Sequence, residues 1–322
     1  MQDVGWLSVE GPRSREGAGL QRFKSILFVT GEAAFTRIAY AKAVAFAARN
    51  DAAVTVMDVV DSIPKRRRTF ETASSVYDLQ DILITDSFDR IEDLLTSTEI
   101  SVRSVPEAVV VSGDRHVEII RRILKADHDL VIVADAEEGY HATTHHLLRK
   151  APCPVWLMTP SIEHEQRILA AVDPNPLEPI QELLTDDVLM LAVSLAMLEE
   201  APLHIVHAWN VPGDVELGVS ISGRSAIREE TLARHRESLT ELVGRHELPD
   251  DTVVHFLEGS PGEVIRQVVF RRNITTIVMG TVARSGIAGL IIGNTAETIL
   301  RRVHCSVLAI KPQGFETPVR IA

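Results

Sequence analysis

Two stretches in the C-terminal half of the sequence combine residue types suited to ligand binding. Asp173-Pro174 follows the apolar run 168–172, and a carboxylate just past a strand can accept hydrogen bonds from a ligand amine or ribose hydroxyl. An Asp-Pro turn that leaves the strand would use the same residues structurally. The second stretch is the segment 280–295, which carries four glycines. Both stretches are therefore candidate parts of a site.

The glycine-rich segment 280–295 runs into a predicted helix over 295–302. Asn294, followed three residues later by Glu297, forms a capping-box pattern that makes Asn294 the N-cap. Glycines let backbone approach a ligand closely, and a helix N-terminus presents free N–H groups to an anion. The segment therefore suits either a phosphate cradle or a capped turn with nothing bound. It has neither the P-loop spacing nor a Gly-x-Gly-x-x-Gly pattern.

Other reactive side chains give weaker signals. His141, His145 and His146 lie close in sequence, but no cysteine or carboxylate at a familiar spacing accompanies them, so a metal site has little support. His204 and His207 are three apart on a predicted strand, so their side chains should point to opposite faces. We can name no combination of nucleophile, base and orienting group, and a hydrolase therefore has little support.

The elements that position these residues come from an internal repeat. The run 147–155 returns 152 residues later as 299–307, and the run 112–120 returns 146 residues later. Since the offset grows by six, the second copy has six extra residues between 280 and 300, where the glycines lie. The chain is thus predicted to contain two copies of one domain, of which only the second has the glycine-rich segment.

Each copy alternates short apolar runs with helical stretches of about ten to twenty residues. This alternation predicts an α/β fold: two tandem Rossmann-like domains, each a five-stranded parallel sheet with helices on both faces. Ligands of such sheets bind beyond the carboxyl ends of the strands, where the strand order reverses. The predicted divisions are a leader at 1–22, domain 1 at 23–160, domain 2 at 161–312 and a tail at 313–322.

The bulk composition narrows the functional classes. The 322 residues carry a net charge of −12, which argues against nucleic-acid binding because phosphate contacts need a basic surface. Hydrophobic content of 45% suits two buried cores, and no apolar run is long enough to span a membrane. Two cysteines, one at the same place in each copy, fit a reducing compartment. We expect a cytoplasmic protein.

The copies resemble domains of the universal stress protein family, over about 23–312. Nucleotide-binding members carry Gly-x2-Gly-x9-Gly-Ser/Thr, and the frame here reads Gly280-x2-Ala283-x9-Gly293-Asn294, with two of its four positions changed. The text Met279-Gly-Thr-Val, Gly293-Asn-Thr-Ala-Glu297 and His146-Leu-Leu-Arg-Lys150 is similar to the tandem two-domain type of the family. Ala283 adds a methyl group where backbone should approach phosphates.

The resemblance implies an adenine nucleotide alpha hydrolase-like fold and ATP or ADP, with accompanying Mg²⁺, in domain 2 only. Domain 1, which lacks the aspartate and the glycines, should bind no nucleotide. The implied site residues are Asp173, Pro174, Ala208, Met279, Gly280, Thr281, Ala283, Gly293, Asn294, Thr295 and Ala296.

Three functions stay open at this point. The first is a non-catalytic stress-response protein that binds a small ligand and acts in signalling or protection. The second, of another class, is a slow ATPase or a self-phosphorylating enzyme. The third is a scaffold that binds an apolar, non-nucleotide ligand. We expect the two domains to pair within the chain, and a homodimer is left open.

Overall fold

The structure is a computed structural model of the chain. It describes residues 22–31, 33–63, 73–100, 102–134, 142–160, 165–175, 179–211, 221–281, 296, 299 and 303–320. The chain divides into two compact units, one formed by Gly19–Pro160 with Phe315–Ala322, the other including Ser161–Gly314. We call these the N-terminal unit and the C-terminal unit.

The described part of the N-terminal unit alternates strands with helices. Its elements are β1 (Ser25–Val29), α1 (Ala33–Asn50), β2 (Ala53–Val60), α2 (Ala73–Leu95), β3 (Glu107–Ser112), α3 (Arg115–Ala126), β4 (Leu130–Ala134), α4 (Ala142–Lys150) and β5 (Val155–Met158). Its described strands pair in parallel, and the strand order is β3-β2-β1-β4-β5. The order therefore reverses at β1.

The C-terminal unit repeats this pattern. Its described elements are β6 (Ile168–Ala171), α5 (Pro179–Glu199), β7 (Leu203–Trp209), α6 (Ile221–Gly244), β8 (Val253–Glu258), α7 (Pro261–Arg272), β9 (Thr276–Gly280) and β10 (Ser306–Ile310). Its parallel strands run in the order β8-β7-β6-β9-β10, which reverses at β6. The predicted α/β fold class is confirmed.

Several strands of each unit are buried on both faces, as expected where helices cover a parallel sheet. Every residue of β4, β5 and β10 is buried, and the runs are apolar apart from Ser306. Cys153 and Cys305, at the approach to β5 and β10, are buried too. Burial on both faces, rather than alternation of polar and apolar residues, explains these short apolar runs.

Helix α2 has apolar residues near helical spacing, but only part of this stripe is buried. Ile91 and Leu94 are buried as expected, but Leu79, Ile82 and Leu83 are 46%, 61% and 38% exposed. The apolar periodicity therefore predicts the helix correctly, while its first turns are not covered by the described part of the chain.

Candidate ligand-binding site

The carboxyl ends of β6, β7 and β9 meet at one edge of the C-terminal sheet. Ala171 pairs with Val206 on one side and with Met279 on the other, so β6 and β9 end near this level, while β7 continues to Trp209. Just beyond that level lie Asp173, Ala208 and Gly280. The structure thus brings these predicted residues to the edge where the strand order reverses, the usual place for a ligand.

Asp173 lies in a turn and is partly exposed. The Asn175 backbone N–H donates to Asp173 Oδ1 over 3.4 Å, and the Thr185 hydroxyl donates to the Asp173 carbonyl over 3.0 Å. Pro174, next to it, is partly exposed as well. These two bonds fit the turn interpretation of Asp173-Pro174, and a carboxylate in such a turn can also accept from a ligand.

A small pocket opens beside this turn, between α5 and α6. Its volume is about 60 Å³, and its walls are Asp173, Pro174, Glu182, Thr185, Ser238, Glu241, Leu242 and Arg245. Small-molecule sites usually enclose about 300–1,000 Å³. The pocket alone is therefore too small for a nucleotide, and any such ligand must use more of the strand-end crevice.

The predicted phosphate-side residues of β9 are closely packed. A Cβ atom at Gly280 would lie 2.8 Å from Leu184 Cδ2 of α5, so the absence of a side chain here makes room for a leucine. Both the N–H and the hydroxyl of Thr281 donate to the Ile310 carbonyl, over 3.0 and 3.3 Å. Met279 is buried in the sheet. These three residues hold the sheet and its covering helix together.

Most of the remaining predicted site residues follow β9 in the chain. Ala283, Gly293, Asn294 and Thr295 lie outside the described residues, as does most of the predicted helix over 295–302. Ala296 is described and is buried. The phosphate side of the site therefore stays a prediction.

A chain of buried polar contacts runs beneath the Asp173 turn. His207 Nδ1 lies 3.2 Å from the Val172 carbonyl oxygen, and His207 Nε2 lies 2.8 Å from His235 Nδ1. Asn175 Nδ2 lies 3.0 Å from the same His235 Nδ1, and the Ser238 hydroxyl donates to Asn175 Oδ1 over 3.1 Å. The two rings are stacked at 5.0 Å. The sequence analysis considered His207 but did not predict this series of polar contacts.

Comparison with known proteins identifies the family. A model of the universal stress protein family matches residues 22–158 and again residues 165–311. The chain belongs to the universal stress protein family. The predicted tandem arrangement of two such domains is confirmed by the double match.

Similar proteins agree with this assignment. Universal stress protein E of Salmonella typhi is 30% identical over 212 residues, which cover 63% of this chain and 67% of that protein. Universal stress protein E of Escherichia coli (strain K12) is 29% identical over 212 residues with the same coverage.

Solved structures show the same fold. A functionally unknown protein from Pseudomonas aeruginosa PAO1 has a TM-score of 0.67 and 24% identity, covering 91% of this chain and 94% of that one. A universal stress protein from Archaeoglobus fulgidus DSM 4304 has a TM-score of 0.56 and 17% identity, covering 90% and 99%.

The N-terminal unit of this universal stress family member has a different arrangement at the equivalent edge. Thr30 N–H donates to the Met57 carbonyl just as Val172 N–H donates to the Val206 carbonyl, which makes Gly31 the counterpart of Asp173. A Cβ atom at Gly31 would lie 1.9 Å from the Ala134 carbonyl oxygen. Backbone therefore lies against backbone where the other unit has its turn.

The N-terminal unit also fills this edge with its own ionic network around Asp58 of β2. The Thr30 hydroxyl donates to Asp58 Oδ1 over 2.7 Å, and the Ser87 hydroxyl donates to Oδ2 over 2.5 Å. Arg115 Nη1 donates to Asp58 Oδ1 over 3.3 Å, and its Nη2 donates to the Thr30 carbonyl. Arg90 adds a second cation 3.3 Å from Oδ2. A partly buried carboxylate thus has every partner it needs within the unit.

The charge state of Asp58 follows from these partners. Burial by itself raises the pKa of Asp58, but hydrogen bonds from Ser87 and Thr30 and the charge of Arg115 outweigh burial. The net pKa of Asp58 is below its ordinary value. The carboxylate is therefore ionised across the physiological range and acts as an anchor for Arg115.

The histidine clusters do not form a metal centre within the described part of the chain. There, no three His, Cys, Asp or Glu side chains are arranged to hold a metal ion. His145 and His146 are described, whereas His141 lies outside the described residues. His204 and His207 have different histidine partners, His255 at 3.1 Å and His235 at 2.8 Å.

Among the helices that the structure describes, none is both long enough and apolar enough to cross a bilayer.

Proposed function

We propose that this universal stress protein binds an adenine nucleotide, ATP or ADP, in its C-terminal unit and acts in the stress response through binding rather than catalysis. The adenine and ribose would contact Asp173 and Ala208. The phosphates, with Mg²⁺, would lie near Gly280 and the segment 293–295. The family resemblance of the glycine frame motivates this assignment of the two ends.

One observation carries the proposal: Asp173 is a partly exposed carboxylate at the end of β6, the strand at which the order of the sheet reverses. Ligands of open α/β sheets usually bind beyond the strand ends at such a switch point. The pocket of about 60 Å³ beside Asp173 gives a ligand an entry point between α5 and α6.

The contrast between the two units supports a single site per chain. At the equivalent edge of the N-terminal unit, Gly31 lies against the Ala134 carbonyl, and Arg115 is bound to Asp58. A ligand there would have to displace an ion pair between partly buried groups, which is costly once the partners are desolvated. We therefore assign no nucleotide to the N-terminal unit.

The packing of β9 limits what the phosphate side contributes. Leu184 fills the space above Gly280, and the Thr281 hydroxyl is bonded to Ile310. Gly280 has no side chain and the Thr281 hydroxyl is already bonded, so neither of these two residues offers a side-chain donor to a phosphate in this arrangement. We expect the affinity to depend mainly on contacts with the base and ribose at Asp173.

Calorimetric titration with Mg-ATP tests the proposal, with Asp173→Asn as the variant and Asp250→Asn as its control. Asp250 is an exposed aspartate in the turn before β8, at the opposite edge of the sheet, and its replacement makes the same change in charge. We expect one site per chain, binding at least about tenfold weaker in Asp173→Asn, as for one lost charged hydrogen bond. Asp250→Asn should bind like the parent. No heat of Mg-ATP binding in the parent, or equal Mg-ATP affinity in Asp173→Asn and Asp250→Asn, would refute the proposal.

Release of phosphate separates binding from catalysis. We expect purified protein with Mg-ATP to release phosphate at the rate of buffer alone. A faster release that disappears in Asp173→Asn would instead establish the slow ATPase as the activity of this site.

A further inference from the structure

The buried pair His207–His235 is attached directly to the turn that carries Asp173. His207 is 1% exposed and His235 is 8% exposed, and the two side chains come from β7 and α6. His235 contacts the side chain of Asn175, and the backbone N–H of Asn175 donates to the Asp173 carboxylate. A continuous path of contacts therefore joins α6 to the proposed ligand-binding carboxylate.

The hydrogen-bonding roles along this path restrict one another. The Val172 carbonyl can only accept, so His207 Nδ1 carries a proton and donates to it. His235 Nδ1 faces both His207 Nε2 and Asn175 Nδ2 and has one in-plane site, a lone pair or a proton, which the two contacts share. The tautomer of His235 and the orientation of the Asn175 amide are therefore coupled.

In the N-terminal unit, the strand position equivalent to His207 also links the ends of two strands. Asp58 is the counterpart of His207, because Met57 and Val206 accept the equivalent backbone bonds from Thr30 and Val172. Asp58 bonds Thr30 and a helix residue of α2, as His207 bonds Val172 and a helix residue of α6. Only in the C-terminal unit does the described contact path continue into the turn after the first strand of the unit.

We infer that His235 is a positioning residue for the proposed nucleotide site: by holding Asn175 it fixes the turn that aims the Asp173 carboxylate at the ligand. The inference rests on the proposed function for its ligand. It does not need His235 to touch the nucleotide. A carboxylate held in a fixed direction binds with less loss of conformational freedom than one on a loose turn.

The chain provides a matched control in a second histidine pair. His204 Nδ1 lies 3.1 Å from His255 Nε2, and the two rings are stacked at 22°. This pair joins β7 to β8, away from the contact path that leads through His235 and Asn175 to Asp173. His255→Leu and His235→Leu each remove one imidazole from such a pair, so both should lower the stability of the fold.

The experiment measures Mg-ATP affinity by calorimetry and stability by urea unfolding in His235→Leu, His235→Asn and His255→Leu. Asparagine places an amide near the position of Nδ1, so His235→Asn restores a partner for Asn175. We expect His235→Leu to weaken binding about tenfold, as for one lost hydrogen bond that orders the turn. His235→Asn should recover most of the affinity, and His255→Leu should lose stability without losing affinity.

Two results would overturn the inference: equal losses of affinity in His235→Leu and His255→Leu, or no recovery in His235→Asn. If the parent gives no heat with Mg-ATP, the proposed function fails, and positioning is read instead from the Asn175 side-chain amide by NMR. That amide resonance should shift or broaden in His235→Leu and stay unchanged in His255→Leu. An unchanged resonance in His235→Leu would overturn the positioning role independently of any ligand.

Discussion

Asp58 in the N-terminal unit and His207 in the C-terminal unit occupy equivalent strand positions and bond different partners. Asp58 accepts from Thr30, Ser87 and Arg115, which places an ionic network at the edge of its sheet. His207 bonds Val172 and a second histidine, which places polar contacts below a partly exposed turn. The two units thus differ at the same strand ends, one having an ionic network and the other the turn that carries Asp173.

The Asp58 network predicts a pH-dependent loss of stability in Asp58→Asn. Because the pKa of Asp58 is lowered by folding, its contribution is present above the unfolded value of about 3.9 and disappears as the pH falls through the lower folded value. At pH 7 we expect Asp58→Asn to unfold with about 1.5–3 kcal/mol less free energy than the parent, the range for charged hydrogen bonds. Urea unfolding at pH 7 and near pH 3 measures the difference, which should shrink in acid. A difference that is the same at both pH values would contradict the ionic account.

Gly31→Ala should destabilise the protein because the new methyl group meets backbone. The Cβ atom would lie 1.9 Å from the Ala134 oxygen, and a carbonyl of a buried strand cannot rotate away. We expect a loss of at least about 2 kcal/mol, within the range for overpacked cores. Gly244→Ala is the control, since nothing lies within 4 Å of a Cβ atom there. Thermal or urea unfolding of both variants checks the prediction, and equal stability of the two would refute the close contact.

Gly280 and Leu184 should be energetically coupled. A Cβ atom at Gly280 would lie 2.8 Å from Leu184 Cδ2, but that atom is the end of a side chain that can shift. We therefore expect Gly280→Ala to cost about 1 kcal/mol in the parent and close to nothing in a Leu184→Ala background. A double-mutant cycle by urea unfolding measures the coupling. Additive effects of the two substitutions would show that the leucine does not fill this space.

His128 should make the fold less stable in mild acid. Burial, reinforced by the charge of Arg122, lowers the pKa of His128 to about 4, and its Nε2 atom is buried without a hydrogen-bond partner. Since the unfolded chain takes up this proton near pH 6.5, stability falls between about pH 6.5 and pH 4. We expect His128→Gln to show a shallower fall, by up to about 1.4 kcal/mol per pH unit for one proton. Identical slopes for parent and variant would assign the acid sensitivity to other groups.

The sequence predicted the two-domain α/β fold because its evidence was local and repeated. Apolar runs such as 130–134 alternate with helices, and the same irregular text appears in both halves. The placement of Asp173 followed from the general rule for strand ends, once β6 was recognised as the first strand of its unit. Both arguments need only the order of elements along the chain.

The rest depends on how distant elements meet, which spacing does not encode. His207 and His235 are 28 residues apart, and their contact needs the rotation of α6 about its own axis. Leu184 meets Gly280 only after α5 packs across β9. For α2, periodicity identifies an apolar stripe at Leu79 and Ile82 but cannot say whether another element covers it.

Hydrogen exchange measured by mass spectrometry, with and without saturating Mg-ADP, tests the central claim most directly. A nucleotide bound as proposed would slow exchange in peptides spanning 168–175 and 203–211, which contain Asp173 and Ala208. The equivalent peptides 25–31 and 53–60 of the N-terminal unit, where Arg115 is bound to Asp58, should exchange at the same rate in both conditions. Protection of the N-terminal peptides, or no protection at Asp173 and Ala208, would contradict the claim that one unit of this universal stress protein kept a nucleotide site and the other closed it.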